Sequence, residues 1–187
     1  AGLIAVSHET DADLARLKQE HPADFVRMNE AGNEAQLELN LELEKETFFR
    51  DVKTWNPIVL WTNYLNTSLY LFSSNWSEAD NITNKQNQSD GASVAERDFT
   101  GHDFTAWSYD LHRPDEPYAA RGIHPSGVGI NRYRKRSDLT GEELSYLRLQ
   151  ANLSLLNFID PNLFRGHSFS FRDPLNPFEN DGLVNIG

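Results

Sequence analysis

His124 and Ser126 stand two residues apart in the turn HPSG, and Asp110 precedes them in a stretch rich in polar-tipped aromatics. These are the residue types of a nucleophile–base–orienter set: a hydroxyl to attack, an imidazole to take its proton and a carboxylate to hold the imidazole. Hydrolysis is the chemistry such a set would perform. The local spacing does not complete the G-x-S-x-G elbow, because His124 stands where that motif needs a glycine. The simpler reading of Pro125-Ser126-Gly127 is a turn.

The same segment, RGIHPSGVGINRYRKRSD over 121–138, suggests a clamp for an anion. Gly127 and Gly129 allow close approach of backbone, while Arg121, Arg132 and Arg134 offer planar guanidinium forks suited to phosphate or carboxylate. It is neither a Walker nor a dinucleotide motif, since no GK[ST] follows and no apolar helix begins at once. The competing expectation is an internal clasp, with Arg132, Arg134 and Arg136 paired to acidic helices around Glu38, Glu42 and Glu46. Upstream, Trp107 and Tyr109 combine aromatic faces with polar groups in a way that suits a sugar-like ligand, or else ties down a long loop. His102, His112, His124 and His167 lie among Asp103, Asp110, Asp115 and Glu116 without HExxH or EF-hand spacing, so neither a metal nor a cofactor is expected.

Composition narrows the classes. Acidic residues outnumber basic ones 28 to 17 in 187 residues, for a net charge of -11, which opposes general binding to nucleic acid or anionic lipid. The segment 121–136 runs against this trend with five basic residues and no acid. There is no cysteine, which removes disulfides, thiolate nucleophiles and Cys-ligated metals. No apolar run has the length of a membrane span. With 4 Trp, 6 Tyr and 11 Phe the chain is too aromatic for a disordered one. Five N-x-S/T sites carry little weight in so Asn-rich a chain, but a cysteine-free, Asn-rich, acidic sequence with a start other than Met favours a processed, extracytoplasmic protein, periplasmic or secreted.

The elements that must position these residues follow from caps and periodicity. Thr10 with Asp13 opens a helix over 11–20; Pro22 opens another that Gly32 closes, and a third runs from about 33 to 53. In the third, Leu37, Leu41, Phe48 and Val52 form one stripe while Leu39 and Leu43 lie opposite, so a partner is expected to cover the second side. Asn56 and Pro57 start a core helix carrying Leu60, Trp61, Tyr64, Leu65, Leu69 and Phe72. Residues 73–100 read as a polar connector and 101–136 as irregular. Thr140 and Glu143 form a capping box for a helix over 141–158 that buries Leu144, Leu147, Ala151, Leu155 and Phe158. GLVNIG at 182–187 looks like an apolar strand cut short.

The expectation is a mainly α fold: an N-terminal layer of about four helices, one later helix and long irregular segments with room for short strands. A single domain spans 1–187, with a sub-boundary in 73–100. Functionally, the chain reads as an extracytoplasmic protein binding a small anionic or polyhydroxylated ligand and able to act as a hydrolase. The alternative is a non-catalytic subunit or soluble segment of a larger extracytoplasmic assembly.

Overall fold

The computed structural model describes residues 8–49, 55–90, 93–98, 102–160 and 163. Among these lie six α-helices: α1 (Asp11–Glu20), α2 (Pro22–Phe49), α3 (Trp55–Ser74), α4 (Ala79–Ser89), α5 (Asp103–Leu111) and α6 (Gly141–Ser154). The mainly α expectation holds. Short 3-10 turns cover Val94–Glu96, Tyr118–Arg121, Arg136–Asp138 and Leu155–Ile159. β-structure among the described residues is limited to an isolated antiparallel bridge between Ile123 and Ile130. The strand expected at 182–187 falls outside the described residues, and no helix among the described ones is long and apolar enough to cross a membrane.

Local caps set several boundaries. The Thr10 hydroxyl accepts from the Asp13 amide at 3.1 Å, and Thr140 and Glu143 satisfy each other's amides in a reciprocal box. Three expectations need correction. Gly32 does not end a helix: α2 runs unbroken to Phe49, because Gly32 sits on an exposed face between good helix formers and takes no left-handed cap conformation. The polar connector contains α4, whose buried residues are Ala79, Thr83 and Asn87. The irregular half contains α5, which is central to the fold and buries Phe104, Thr105, Ala106, Ser108, Tyr109 and Asp110.

α2 packs on α1, α3 and α5, and α6 packs on α3 and α5. Leu71, Phe104, Tyr109, Leu139, Leu147 and Ala151 form one core cluster; Leu14, Phe25 and Tyr118 form another. α2 buries Phe25 and Val26 near its start, and beyond them its inner stripe is polar. Asn29, Asn33, Asn40 and Thr47 are buried, while Leu37, Leu39 and Leu41 are 46%, 48% and 52% exposed. This overturns the reading in which the leucine stripes face inward. Asn63 of α3 donates to Asn40 Oδ1 at 2.7 Å, Gln36 donates to the Asn63 carbonyl at 3.3 Å, and Asn56 donates to Glu46 at 3.1 Å. Paired amides thus take the contact that leucines would ordinarily fill, turning the leucines to the outside. Likewise α3 buries Leu60, Tyr64 and Leu71 but leaves Trp61 and Leu69 exposed, and Leu155 beyond α6 is exposed too.

A buried amide pair is costly to break and cheap to replace whole. Asn40→Ala should therefore destabilise by about 1–3 kcal/mol, whereas Asn40→Leu with Asn63→Leu should lie within about 1 kcal/mol of the parent. Urea unfolding of the three proteins checks this.

Candidate functional site

Asp110 lies at the centre of the residues singled out in the sequence. Its side chain is fully buried in α5 and receives three donors from three other segments. Lys18 of α1 donates to Oδ1 at 2.6 Å and Asn29 of α2 to Oδ2 at 2.9 Å. Arg121 Nη2 reaches Oδ1 at 2.5 Å and also contacts Oδ2. Two cations and one carboxylate leave excess positive charge, and aromatic faces surround it. The Arg121 guanidinium lies 4.9 Å from the Tyr118 ring, 5.4 Å from Phe25 and 5.6 Å from Tyr109. Arg134 stands 5.1 Å from Tyr109; burial and the neighbouring Arg121 lower its affinity for its proton.

The other arginines are also held from within. Arg132 donates to Asp11 Oδ1 at 3.1 Å, to the Arg97 carbonyl at 3.0 Å and to the Glu9 carbonyl at 2.6 Å. Arg134 donates to the Asn131 carbonyl at 2.7 Å, and Arg136 to the Asn75 carbonyl at 2.9 Å. The clasp expectation holds in part, and with partners other than Glu38, Glu42 and Glu46: Arg132 pairs with Asp11 and Arg134 lies 3.9 Å from Asp138, while Arg136 bonds a carbonyl and Asp110 is the partner of Arg121. Gly127 and Gly129 both have positive φ. At Gly129 the approach is to the chain's own groups, since a Cβ there would lie 2.8 Å from Asp11 Oδ2 and 2.9 Å from Val94 Cγ2.

His124 and Ser126 are brought together, but Asp110 does not join them. The Ser126 amide donates to His124 Nδ1 at 3.1 Å, which puts the ring hydrogen of the neutral imidazole on Nε2, 3.5 Å from Asp90 Oδ2. Ser126 Oγ lies 2.9 Å from Nδ1, and it accepts from Arg97 at 3.0 Å and from the Val128 amide at 3.4 Å. With its hydrogen and both lone pairs engaged, this hydroxyl ties the turn. Burial and the charge of Arg97 push the His124 imidazole below the usual histidine range. Trp107 and Tyr109 are packing residues: Trp107 lies against Tyr146 and Phe104, and buried Tyr109 donates to Glu116 at 2.7 Å beneath the Arg113 guanidinium.

The residues that sequence reasoning missed are Lys18, Asn29, Asp11, Arg97 and Asp90. Only Asp11 carried a local signal, as an acid in the first turn of a helix. Beside the Asp110 cluster opens a cleft of about 480 Å³, lined by Lys18, Gln19, Asp115, Glu116 and Tyr118 among others. Lys18 is already committed to Asp110, so the cleft does not offer the cation an anionic ligand needs. The chain matches no protein-family model, no curated protein and no solved structure, and its function is read from its own geometry.

Removing the carboxylate would strand two buried cations. Asp110→Ala should cost about 3–5 kcal/mol, while Asp13→Ala, which breaks an exposed pair with Arg16 along with the Thr10 contact, should cost far less. Denaturant unfolding compares the two.

Asp103, at the start of α5, supplies a pH test. Burial raises its carboxyl to about 6, with a further contribution from Asp98. A raised carboxyl binds its proton more tightly in the folded state, so its stabilising contribution is full below the ordinary value of 3.8 and is lost as pH rises through about 6. The stability difference between Asp103→Asn and the parent should therefore grow in favour of the variant from pH 4 to pH 7 in parallel thermal melts; a flat difference would contradict this.

Proposed function

We propose that this chain is a non-catalytic segment of a larger assembly, docking on another protein through its apolar outer faces. The observation that carries the reading is the inversion of α2, which buries Asn33 and Asn40 and exposes Leu37, Leu39 and Leu41. Exposed Ile58, Val59 and Trp61 on α3 and Leu155, Leu156 and Ile159 after α6 extend the apolar surface. Apolar surface on this scale marks an interaction site in a water-soluble fold. The alternative, an anion held by Arg121, Arg132 and Arg134, finds their Nη donors serving the chain's own acceptors and the unpartnered Nε of Arg121 and of Arg134 buried away from solvent. A partner over Leu39 and half-buried Leu43 is part of the proposal. So is the extracytoplasmic setting, which composition alone supports.

If the leucines await another protein, polar replacements should be harmless to the isolated fold. Leu37→Gln with Leu41→Gln should change unfolding free energy by less than about 1 kcal/mol, against the roughly 2–5 kcal/mol expected for buried leucines. The parent should also enhance Nile red fluorescence and the variant should not. A large loss of stability, or a parent that leaves the dye unchanged, overturns the reading.

A further inference from the structure

The Asp110 junction holds the reactants of an amide bond. Lys18 Nζ donates to Asp110 Oδ1 at 2.6 Å and the Asn29 side-chain amide donates to Oδ2 at 2.9 Å, so an amine and a carboxamide sit on the two oxygens of one carboxylate. An amine is a nucleophile, a carboxamide is an acyl donor, and a carboxyl group bonded to both can carry protons between them. Only His21 separates α1 from α2, and that corner lets Lys18 near the end of α1 and Asn29 in the second turn of α2 reach Asp110 together. All three residues are buried, at 4%, 4% and 1% exposure, and the Phe25 ring lies 5.5 Å from Lys18 Nζ. Water that would compete for the acyl carbon is kept out, and the reacting groups are held in place before any step begins. Charge favours the reaction as well. Arg121 contacts both oxygens of Asp110 and balances it one to one, so Lys18 is a second cation beside a single anion, and forming an amide removes it.

We infer that this junction is a self-modification site, at which Lys18 and Asn29 join in an intramolecular amide bond and release ammonia. The proton of the Lys18 ammonium passes along its hydrogen bond to Asp110, which leaves a lone pair on Nζ. That pair attacks Asn29 Cγ, and the carbonyl π electrons move onto Oδ1. Asp110 gives a proton to Nδ2 and takes one from Nζ; the C=O bond re-forms, the Cγ–Nδ2 bond breaks and ammonia leaves. Ammonia carries off the proton remaining on Asp110, so the net change is ammonium plus carboxamide to secondary amide plus ammonium ion. Asp110 returns to a carboxylate paired with Arg121 alone. Asp110 is the poorer acyl donor of the two, because as an anion held by Arg121 it would have to expel oxide, whereas Asn29 expels a protonated amine. The product ties α1 covalently to α2 beneath α5.

Intact mass and tryptic mapping of the purified full chain, after incubation at neutral pH, test this. The chain should be lighter by one ammonia than its sequence requires. Trypsin does not cut after a lysine in amide linkage, so the segments 17–27 and 28–45 should travel as one branched species whose fragments place the bond between Lys18 and Asn29. Lys18→Met, which leaves Arg121 and Asp110 as a balanced pair, should keep its full mass, and so should Asn29→Ala. A parent of full mass that trypsin cuts after Lys18 overturns the inference, and this measurement decides it even if neither variant folds. An ammonia lost without the branched species belongs to an asparagine cyclised elsewhere and overturns it too. So does a branched species lighter by one water, which would join Lys18 to Asp110, or the same mass deficit in Lys18→Met.

Discussion

The structure depends on one buried carboxylate. Asp110 sits where α1, α2 and the turn at Tyr118–Arg121 converge on α5, and each sends it a donor. A lone carboxylate in such a place would be strongly disfavoured, and so would a lone Lys18 or Arg121; together they are tolerated only in one arrangement. Such a junction specifies geometry more than it adds stability. It fixes where the loop 121–134 leaves the helical layer, and Arg132 continues the fixing by binding Asp11 and the carbonyls of Glu9 and Arg97. The basic island is thereby an inward-facing strap in which Arg121, Arg132 and Arg134 meet acids of the chain itself and Arg136 a backbone carbonyl.

The same preference for polar groups inside shapes the α2–α3 contact. Amides and carboxylates of Gln36, Asn40, Glu44 and Glu46 meet Asn56, Asn63 and Tyr64, and this leaves leucines and aromatics without internal partners. A helix of alternating Leu and Glu cannot bury both kinds of residue on one face. Here directional hydrogen bonds set the register, and the apolar residues become surface. Interior specificity comes from polar contacts, and the exterior apolar area is what the proposed docking role rests on.

Helix starts were legible because caps are local. Thr10 with Asp13 and Thr140 with Glu143 lie three residues apart and mean the same thing in a peptide as in the fold. The hydrophobic period served well where the interior is apolar, as at Leu60, Tyr64 and Leu147, and failed where it is polar. α4 turns Thr83 and Asn87 inward and so presents no apolar stripe to read; α5 buries Thr105 and Ser108 along with its aromatics. The Asp110 site was legible only as a set of residue types. Its partners Lys18 and Asn29 lie 92 and 81 residues away, and no spacing rule reaches across such distances. Glu38 and Glu42 were natural candidates to meet the arginines, but the inward turn of Asn33 and Asn40 faces them to solvent, and short acids at 11, 110 and 138 take their place.

The central claim is that the Asp110 junction makes α1, α5 and the segment 118–134 one cooperative unit. Native-state hydrogen exchange read amide by amide tests it most directly, because segments locked together open with a shared free energy. The Asn131 amide, bonded to the Gly122 carbonyl, and the His124 amide, bonded to the Gly129 carbonyl, should exchange with the same opening free energy as the interior amides of α5. Exchange of those two amides by local fluctuation, while α5 remains protected, would contradict the account.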